Sequence, residues 1–499
     1  MDKTAYLSVY DKTGIVDFAR GLESLGFEIY ASGSTFKLLR ESEIEAEDIR
    51  YSPPVPVSIL KALSGRSGVL SENGVEVPGP YIVAANLYPI ANIVGQEEFA
   101  IEELSNYLDQ ANAAVLRAAA KDFENVITLC RPQDYGPVLE ALRTAGGLEP
   151  ANKRQLAAQA WQYLAAYDAT VAQYLSETRD LLGEEVVMSL KKVMELAYGE
   201  NRHQKAAFYA LSGARPRGLN AARILSGGQF NLNHYLDLNM AFELAAEFEE
   251  PVCVISKHAR PAGVCAAVKP VDCFRGAFKA DPAGAAGGTA AFNRQVDEET
   301  ARALKEVFIE TVMAPDYGKE ALALLRAKEG LKVIALPAPV LSPREVELYS
   351  VAGGLLIESK DQEVLGAELQ CVTRRKPSDE ELRSLKLAWK ISKYAKTYAV
   401  ALASGGTSVA LGAAESSTYD AVRSAVLKLK DKHPILEGKA PLVMACDAAL
   451  PLKTLEAALA AGISAVIQPG GWREDLVCAQ FCDLKNIAMV LTGVRHFKH

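Results

Sequence analysis

The chain has 499 residues, 49% of them apolar and 23% charged, enough for about three domains of ordinary size, each with its own core. The formal net charge is −8 and no basic block occurs, so nucleic acid is not an expected partner and a cytoplasmic setting fits. No apolar stretch has the length of a bilayer span and no signal-peptide pattern opens the chain, so no membrane partner is expected.

Residues 6–10 predict a short strand and residues 11–14 a turn. Ile15, Phe18, Ala19 and Leu22 then mark an amphipathic helix that Gly26 stops. Residues 27–30 predict a second strand, followed by Ala31-Ser32-Gly33-Ser34-Thr35 and a helix from Phe36. Two strand–turn–helix units in succession, with Lys, Ser, Thr and Gly in their turns, suit a phosphate held at a helix N-terminus. Simple helix capping by Thr13 or Ser34 accounts for the same residues equally well. Residues 51–80, rich in Pro, Ser and Gly, read as loop. Strands are predicted over 81–89 and 126–130, an Ala-rich helix over 115–121, and helices over 152–181. Residues 182–185 read as a linker, and a second large region begins near Met188.

That region opens with a dense polar cluster, residues 198–205, ahead of an aromatic strand, as a substrate loop would. Residues 252–256 predict a buried strand that delivers Lys257 and His258 side by side just before a Pro/Gly turn. A strand end is a rigid place from which to aim side chains. The imidazole can take a proton near neutral pH, and the ammonium can stabilise developing negative charge. Taken alone, such a pair also describes a solvated loop. The last residues, 492–499, carry an Arg, two His and a Phe behind apolar Met489-Val490-Leu491, which suits a docked C-terminus lining a site better than a frayed one. The eight cysteines contain no CxxC pair and read as reduced thiols with no metal site. No repeat with a period of 20–50 residues is evident.

The segments SVYDKTGI (8–15), NLYP (86–89), LRAAAK (116–121), YGENRHQKAAFY (198–209), KHARPAG (257–263), AAFNRQVD (290–297), AWK (388–390), IQPGG (467–471) and TGVRHFKH (492–499) carry a resemblance. End to end, the chain resembles the PurH family, which joins aminoimidazole carboxamide ribonucleotide (AICAR) formyltransferase to inosine monophosphate (IMP) cyclohydrolase. The resemblance implies an α/β protein with a methylglyoxal-synthase-like three-layer domain over residues 1–183. Residues 188–499 would form two cytidine-deaminase-like α/β subdomains, split near 350–375, that lack the deaminase zinc. It further implies 10-formyltetrahydrofolate as cosubstrate, a nucleotide as acceptor, and an intertwined homodimer with formyltransferase sites at its interface. By the same resemblance Lys257 and His258 are the catalytic pair, and Tyr198, His234, Arg495 and His499 lie at the substrates. Ser8, Lys12, Ser32, Thr35, Arg66, Asn86, Tyr88, Asp109 and Lys121 match positions of the N-terminal nucleotide site.

Several positions depart from the family pattern. The Arg that precedes the family's Tyr-Gly is Ala197, the second Asn of its Asn-Asn pair is His234, and the Asn of its KSNA motif is Tyr398. The Arg of its GQxSR motif is Thr418, and the paired Phe of its DAFFPF motif are Ala449 and Leu450. In the N-terminal half Gly68 stands for a Lys, the HP and HGG elements are missing, and the DIGG loop is Asp109-Gln110-Ala111-Asn112. The expectation is a formyltransferase whose cyclohydrolase is weak or lost. The alternatives are a paralogue that formylates or deformylates another amine, and a silent protein that binds nucleotide or folate.

Overall fold

The structure is a computed structural model that describes residues 3–49, 59–60, 63, 69–70, 76–77, 80–90, 92, 101–176, 182–212, 216–337, 346–366, 368–431 and 440–499. Arg66, Gly68 and most of the loop expected over 51–80 lie outside the described residues. The chain divides into two compact units, residues 1–191 with 209–215, and residues 192–208 with 216–499.

The first unit is a five-stranded parallel sheet in the order β3-β2-β1-β4-β5. Its strands are β1 (Thr4–Val9), β2 (Glu28–Ala31), β3 (Glu47–Asp48), β4 (Ile82–Asn86) and β5 (Ile127–Leu129). Every residue of β1 and β4 is buried. That suits central parallel strands covered on both faces, which read as continuous apolar runs rather than alternating ones. Helices α1 (Ile15–Ser24), α2 (Gly33–Glu41), α3 (Gln110–Lys121), α4 (Tyr135–Ala145) and α5 (Pro150–Leu175) connect and flank the strands. Helix α3 starts five residues before the predicted position because Asp109 caps it, its carboxylate accepting the amide of Asn112 at 3.0 Å. Neither Thr13 nor Ser34 acts as a cap. Gly14 begins α1 with φ 69°, and Ser32 precedes α2 without a side-chain cap bond.

The second unit is built on a twelve-stranded sheet, β6-β11-β10-β9-β7-β8-β14-β13-β15-β16-β17-β12. Its first half comprises β6 (Arg223–Ser226), α6 (Leu232–Ala246), β7 (Val252–Lys257), β8 (Arg260–Ala266), α7 (Pro270–Ala280), β9 (Thr289–Phe292), β10 (Thr311–Ala314) and β11 (Lys332–Ala335). The second half comprises β12 (Gln370–Cys371), α8 (Asp379–Lys393), β13 (Val400–Ser404), β14 (Thr407–Gly412), α9 (Thr418–Asp431), β15 (Val443–Cys446), β16 (Ala465–Gln468) and β17 (Ala488–Leu491).

These halves are copies of one design. In each, a helix leads into an antiparallel hairpin, β7–β8 or β13–β14, whose first strand also pairs with an antiparallel neighbour that begins a parallel trio. The offset is a constant 147 residues from the helix caps, Asn231 and Ser378, to the hairpin turns, His258-Ala259 and Gly405-Gly406. Both hairpins carry a bulge at the same place, Ala262 in one and Val409 in the other. The copies meet where Cys265 of β8 pairs with Thr407 of β14. On one face α6 and α8 share a single core that includes Val252, Val254, Leu244, Trp389 and Ala401. On the other face each half has its own core, around Cys253, Ile255 and Phe274 in the first and Val400, Leu402 and Met444 in the second. Strands buried on both faces in this way need helices on both sides, a three-layer arrangement.

Candidate functional site

The register places the Lys257–His258 turn. Lys257 pairs with Arg260 at the end of the β7–β8 hairpin. Because β8 and β14 run antiparallel, that end lies beside Gly412, and Val400 pairs with both Gly412 and Cys446. The starts of β8 and β13 and the ends of β14–β17 therefore share one edge of the sheet. From β7 to β13 the separation is three strand spacings, about 14 Å.

At this edge His258 and Ala259 both have positive φ, 57° and 54°. Such values are rare for residues with a Cβ and cluster at functional sites. His258 is exposed, and its neighbour Lys257 is half-buried with its amine donating to the carbonyl of Ala286. The loop bearing Ala286 passes close to β7, since a Cβ on Gly288 would fall 2.5 Å from the Ser256 carbonyl oxygen. Asp237, buried inside α6, accepts from the Ser256 hydroxyl at 3.0 Å and from the Ala259 amide at 2.6 Å.

Tyr198 and His234 belong to the same corner but to its framework. The Asn231 carboxamide donates to the Tyr198 hydroxyl at 2.7 Å and, through its oxygen, accepts the His234 amide at 2.9 Å. His234 Nδ1 accepts the Asn231 amide at 3.0 Å, closing a capping box on α6. Burial, and then the nearby Lys332, lower the pKa of this ring. It is neutral at pH 7 with its proton on Nε2, facing the Glu310 carboxylate at 3.2 Å. The equivalent cap residue of the second half, Glu381, closes the capping box of Ser378 on α8 and pairs with Arg375 at 2.8 Å. His234 therefore occupies a structural cap position in the repeat.

From the second half comes the C-terminal tail. Thr397 and Lys498 exchange two bonds, the Thr397 amide to the Lys498 carbonyl and the Lys498 amide to the Thr397 hydroxyl, each 2.9 Å. His496 is buried against Asp361, while Arg495 and His499 are exposed. The Arg495 guanidinium lies 4.1 Å from the centre of the Phe497 ring, which meets Tyr398 edge-on at 5.6 Å. The tail is docked rather than frayed, as its apolar lead-in predicts. Thr418, standing for the family's Arg, is buried beside Thr454, and Leu450 is core.

Asp447 was not singled out by sequence reasoning, although it begins the DAAL counterpart of the DAFFPF motif. It is fully buried and accepts from the Thr397 hydroxyl at 2.8 Å and the Ala399 amide at 2.9 Å. Burial pushes its carboxyl up to about 6 in spite of those bonds. The folded pKa exceeds the ordinary carboxyl value of 3.8, so the unfolded chain releases this proton first as pH rises. Stability is expected to fall between about pH 4 and pH 6 and then level off, by on the order of 3 kcal/mol. Asp447→Asn should flatten that slope in urea titrations run at pH 4.5 and pH 7.5, and an unchanged slope would refute the assignment.

The N-terminal residues gather at the C-terminal ends of β1, β2 and β4, the usual ligand edge of an open parallel sheet. Ser8 and Ser32 hydroxyls lie 2.9 Å apart, with Tyr6 3.1 Å from Ser32. Thr35 accepts the Val9 amide at 3.0 Å and receives the Lys12 amine at 3.3 Å. Burial lowers the pKa of Lys12 and raises that of Asp109. Asn86 accepts the amides of Tyr10 and Asp11 at 2.7 and 2.8 Å, and Tyr88 meets Tyr10 edge-on at 4.5 Å. The Asn112 carboxamide donates to Asp109 and to the Asn86 carbonyl, leaving its own buried oxygen without a partner. Lys121 is not brought in: it ends α3, exposed, about 18 Å along the axis from Asp109.

Among the described residues no three His, Cys, Asp or Glu are placed to hold a metal ion, and no helix is long and apolar enough to cross a membrane. One chain thus joins a parallel-sheet unit with a Ser-, Thr- and Lys-bearing ligand edge to a duplicated α/β unit bearing a Lys–His turn, the two-part plan of a bifunctional enzyme family. The AICARFT/IMPCHase bienzyme family matches residues 119–428 and the MGS-like domain family matches residues 14–80, and the chain belongs to the PurH family. It is 34% identical, over 100% of both chains, to the "Bifunctional purine biosynthesis protein PurH" of Caldicellulosiruptor saccharolyticus. It is 35% identical to the protein of that name in Bacillus subtilis, over 100% of this chain and 99% of that one. A solved structure titled "Crystal structure of ForH" is 30% identical and covers 35% of this chain and 100% of its own, with a TM-score of 0.29.

Proposed function

We propose that this chain transfers the formyl group of 10-formyltetrahydrofolate to the amine of AICAR in IMP biosynthesis. The observation that carries the reading is His258, exposed beside Lys257 in a turn held from two sides, on the edge that also receives Arg495 and His499. The acceptor amine is aromatic and weakly nucleophilic. It attacks the formyl carbon, forming a C–N bond and an oxyanion, while His258 takes the proton released from the amine. Lys257 offers positive charge to the oxyanion. Collapse breaks the bond to the folate nitrogen, which leaves with the proton His258 carries.

His258, Arg495 and His499 are all exposed in the single chain, which supports a homodimer in which a second copy completes the site. A cytoplasmic location goes with this chemistry.

The cyclohydrolase half reads as weak or lost. Two side chains, Ala111 and Asn112, occupy the positions of the family's paired glycines beside Asp109, and Gly68 replaces a Lys. Lost positioning groups cost about a hundredfold each in such reactions. A second reading, transfer to or from a different amine, draws on Ala197 and Thr418, where the family has cations, and on the Tyr398 ring against Phe497.

The deciding experiment mixes purified protein with AICAR and 10-formyltetrahydrofolate and follows tetrahydrofolate and IMP separately. AICAR-dependent tetrahydrofolate release without IMP is the expected result. IMP formed at the rate of formyl transfer would overturn the weak cyclohydrolase, and no AICAR-dependent release would leave the different-amine reading or a silent binding protein.

A further inference from the structure

We infer that Asp237 is a positioning residue for formyl transfer: it holds the backbone of the His258–Ala259 turn in the left-handed conformation that aims the imidazole. The inference rests on His258 being the base.

The duplicated fold supplies the comparison. Both halves make the same two-residue turn on the same hairpin, with positive φ at both turn positions. In the second half the turn is Gly405-Gly406, and glycine takes that backbone without steric cost. In the first half the turn is His258-Ala259, and each residue has a Cβ that disfavours it. The residue that faces the turn differs in step. With the 147-residue offset of the helix caps, Asp237 of α6 corresponds to Ser384 of α8. Asp237 is buried and its Oδ1 accepts the Ala259 amide at 2.6 Å. Ser384 is fully buried, and its hydroxyl makes no hydrogen bond. A carboxylate on the turn amide is thus present where the turn carries side chains and absent where it is glycine. Its partner on the strand, the Ser256 hydroxyl, lies 3.0 Å from the same Oδ1, so one oxygen ties the last turn residue to β7.

Displacing a catalytic group by an ångström can cost about 100-fold in rate without loosening substrate binding. Asp237→Ala should therefore lower kcat about 100-fold while KM for both substrates stays within about twofold. Asp237→Asn keeps an acceptor oxygen and weakens the bond instead of removing it, so its kcat should stay within about tenfold of wild type. Ala259→Gly added to Asp237→Ala removes much of the backbone cost and should recover most of the lost kcat. A merely structural aspartate would not respond to a glycine in the turn. Amide hydrogen exchange at Ala259, fast in Asp237→Ala and slow in wild type, reports the same clamp without reference to activity. Wild-type kcat in Asp237→Ala, or no recovery in the double variant, overturns the proposal while the reading of His258 stands. Full turnover in His258→Ala would instead remove the functional reading, and the role of Asp237 with it.

Discussion

Glycine at position 258 is expected to leave the protein folded and at least as stable as before, while ending formyl transfer. The left-handed backbone at His258 costs roughly 1–2 kcal/mol in any residue with a Cβ. Glycine removes that cost and adds about 0.4–1 kcal/mol of chain entropy to the unfolded state, so the net change in stability falls between zero and a gain of about 1.6 kcal/mol. The imidazole itself is exposed, so its removal opens no cavity. Loss of a general base should lower turnover by about 100- to 10,000-fold. His258→Val gives the opposite balance, because a β-branched side chain tolerates positive φ least, and it should unfold at lower denaturant than wild type. Denaturant midpoints and tetrahydrofolate release on the same preparations check both halves of this expectation. A glycine variant that is destabilised by more than 1 kcal/mol would show that the ring packs, contrary to the strain argument.

Strain of this kind is not visible in the string Lys257-His258-Ala259-Arg260, where a turn is predicted but its hand is not. The strand, its continuous burial and the position of the pair at its end were legible. The order of elements through α2 was legible because short apolar runs, turn residues and a period-3.6 pattern follow one another there, whereas the two-residue β3 left no such signal. The duplication of the second unit was not legible. Equivalent positions hold Lys257 and Ser404, His258 and Gly405, Asp237 and Ser384, so the copies share a backbone and little side-chain chemistry. Asp237 is a polar residue inside an apolar helix, and only the hairpin folding back across 22 residues gives it a partner. His234 was ambiguous because Asn-x-x-His is a weak capping signal, whereas Ser378-x-x-Glu381 follows the usual box. Lys121 entered through resemblance alone, and the length of α3 carries it to the other end of the unit.

The remaining large effect concerns the face where the two halves share a core. Glu247, at the end of α6, and Lys393, the last residue of α8, form an ion pair at 2.8 Å with only 4% of either side chain exposed. The Tyr394 hydroxyl donates to the same carboxylate oxygen at 2.7 Å, and burial, followed by that negative charge, drives the phenol pKa far up. The Lys390 amine donates to the Glu247 carbonyl, and Lys360 reaches Glu243 one turn earlier on α6. Glu247→Ala strands Lys393 as an unpaired buried charge and should cost about 3–5 kcal/mol. Replacing both Glu247 and Lys393 by methionine removes the charges together and should cost far less, or nothing. Urea midpoints of the two singles and the double give the coupling directly. Activity should follow the same order. The pair joins the half that carries His258 to the half that docks the C-terminal tail, so loosening it shifts Arg495 and His499 relative to the base. A Glu247→Ala protein that loses less than 1 kcal/mol would mean water reaches the pair, and the two halves would then be held by their shared apolar core and the β8–β14 pairing rather than by this ion pair.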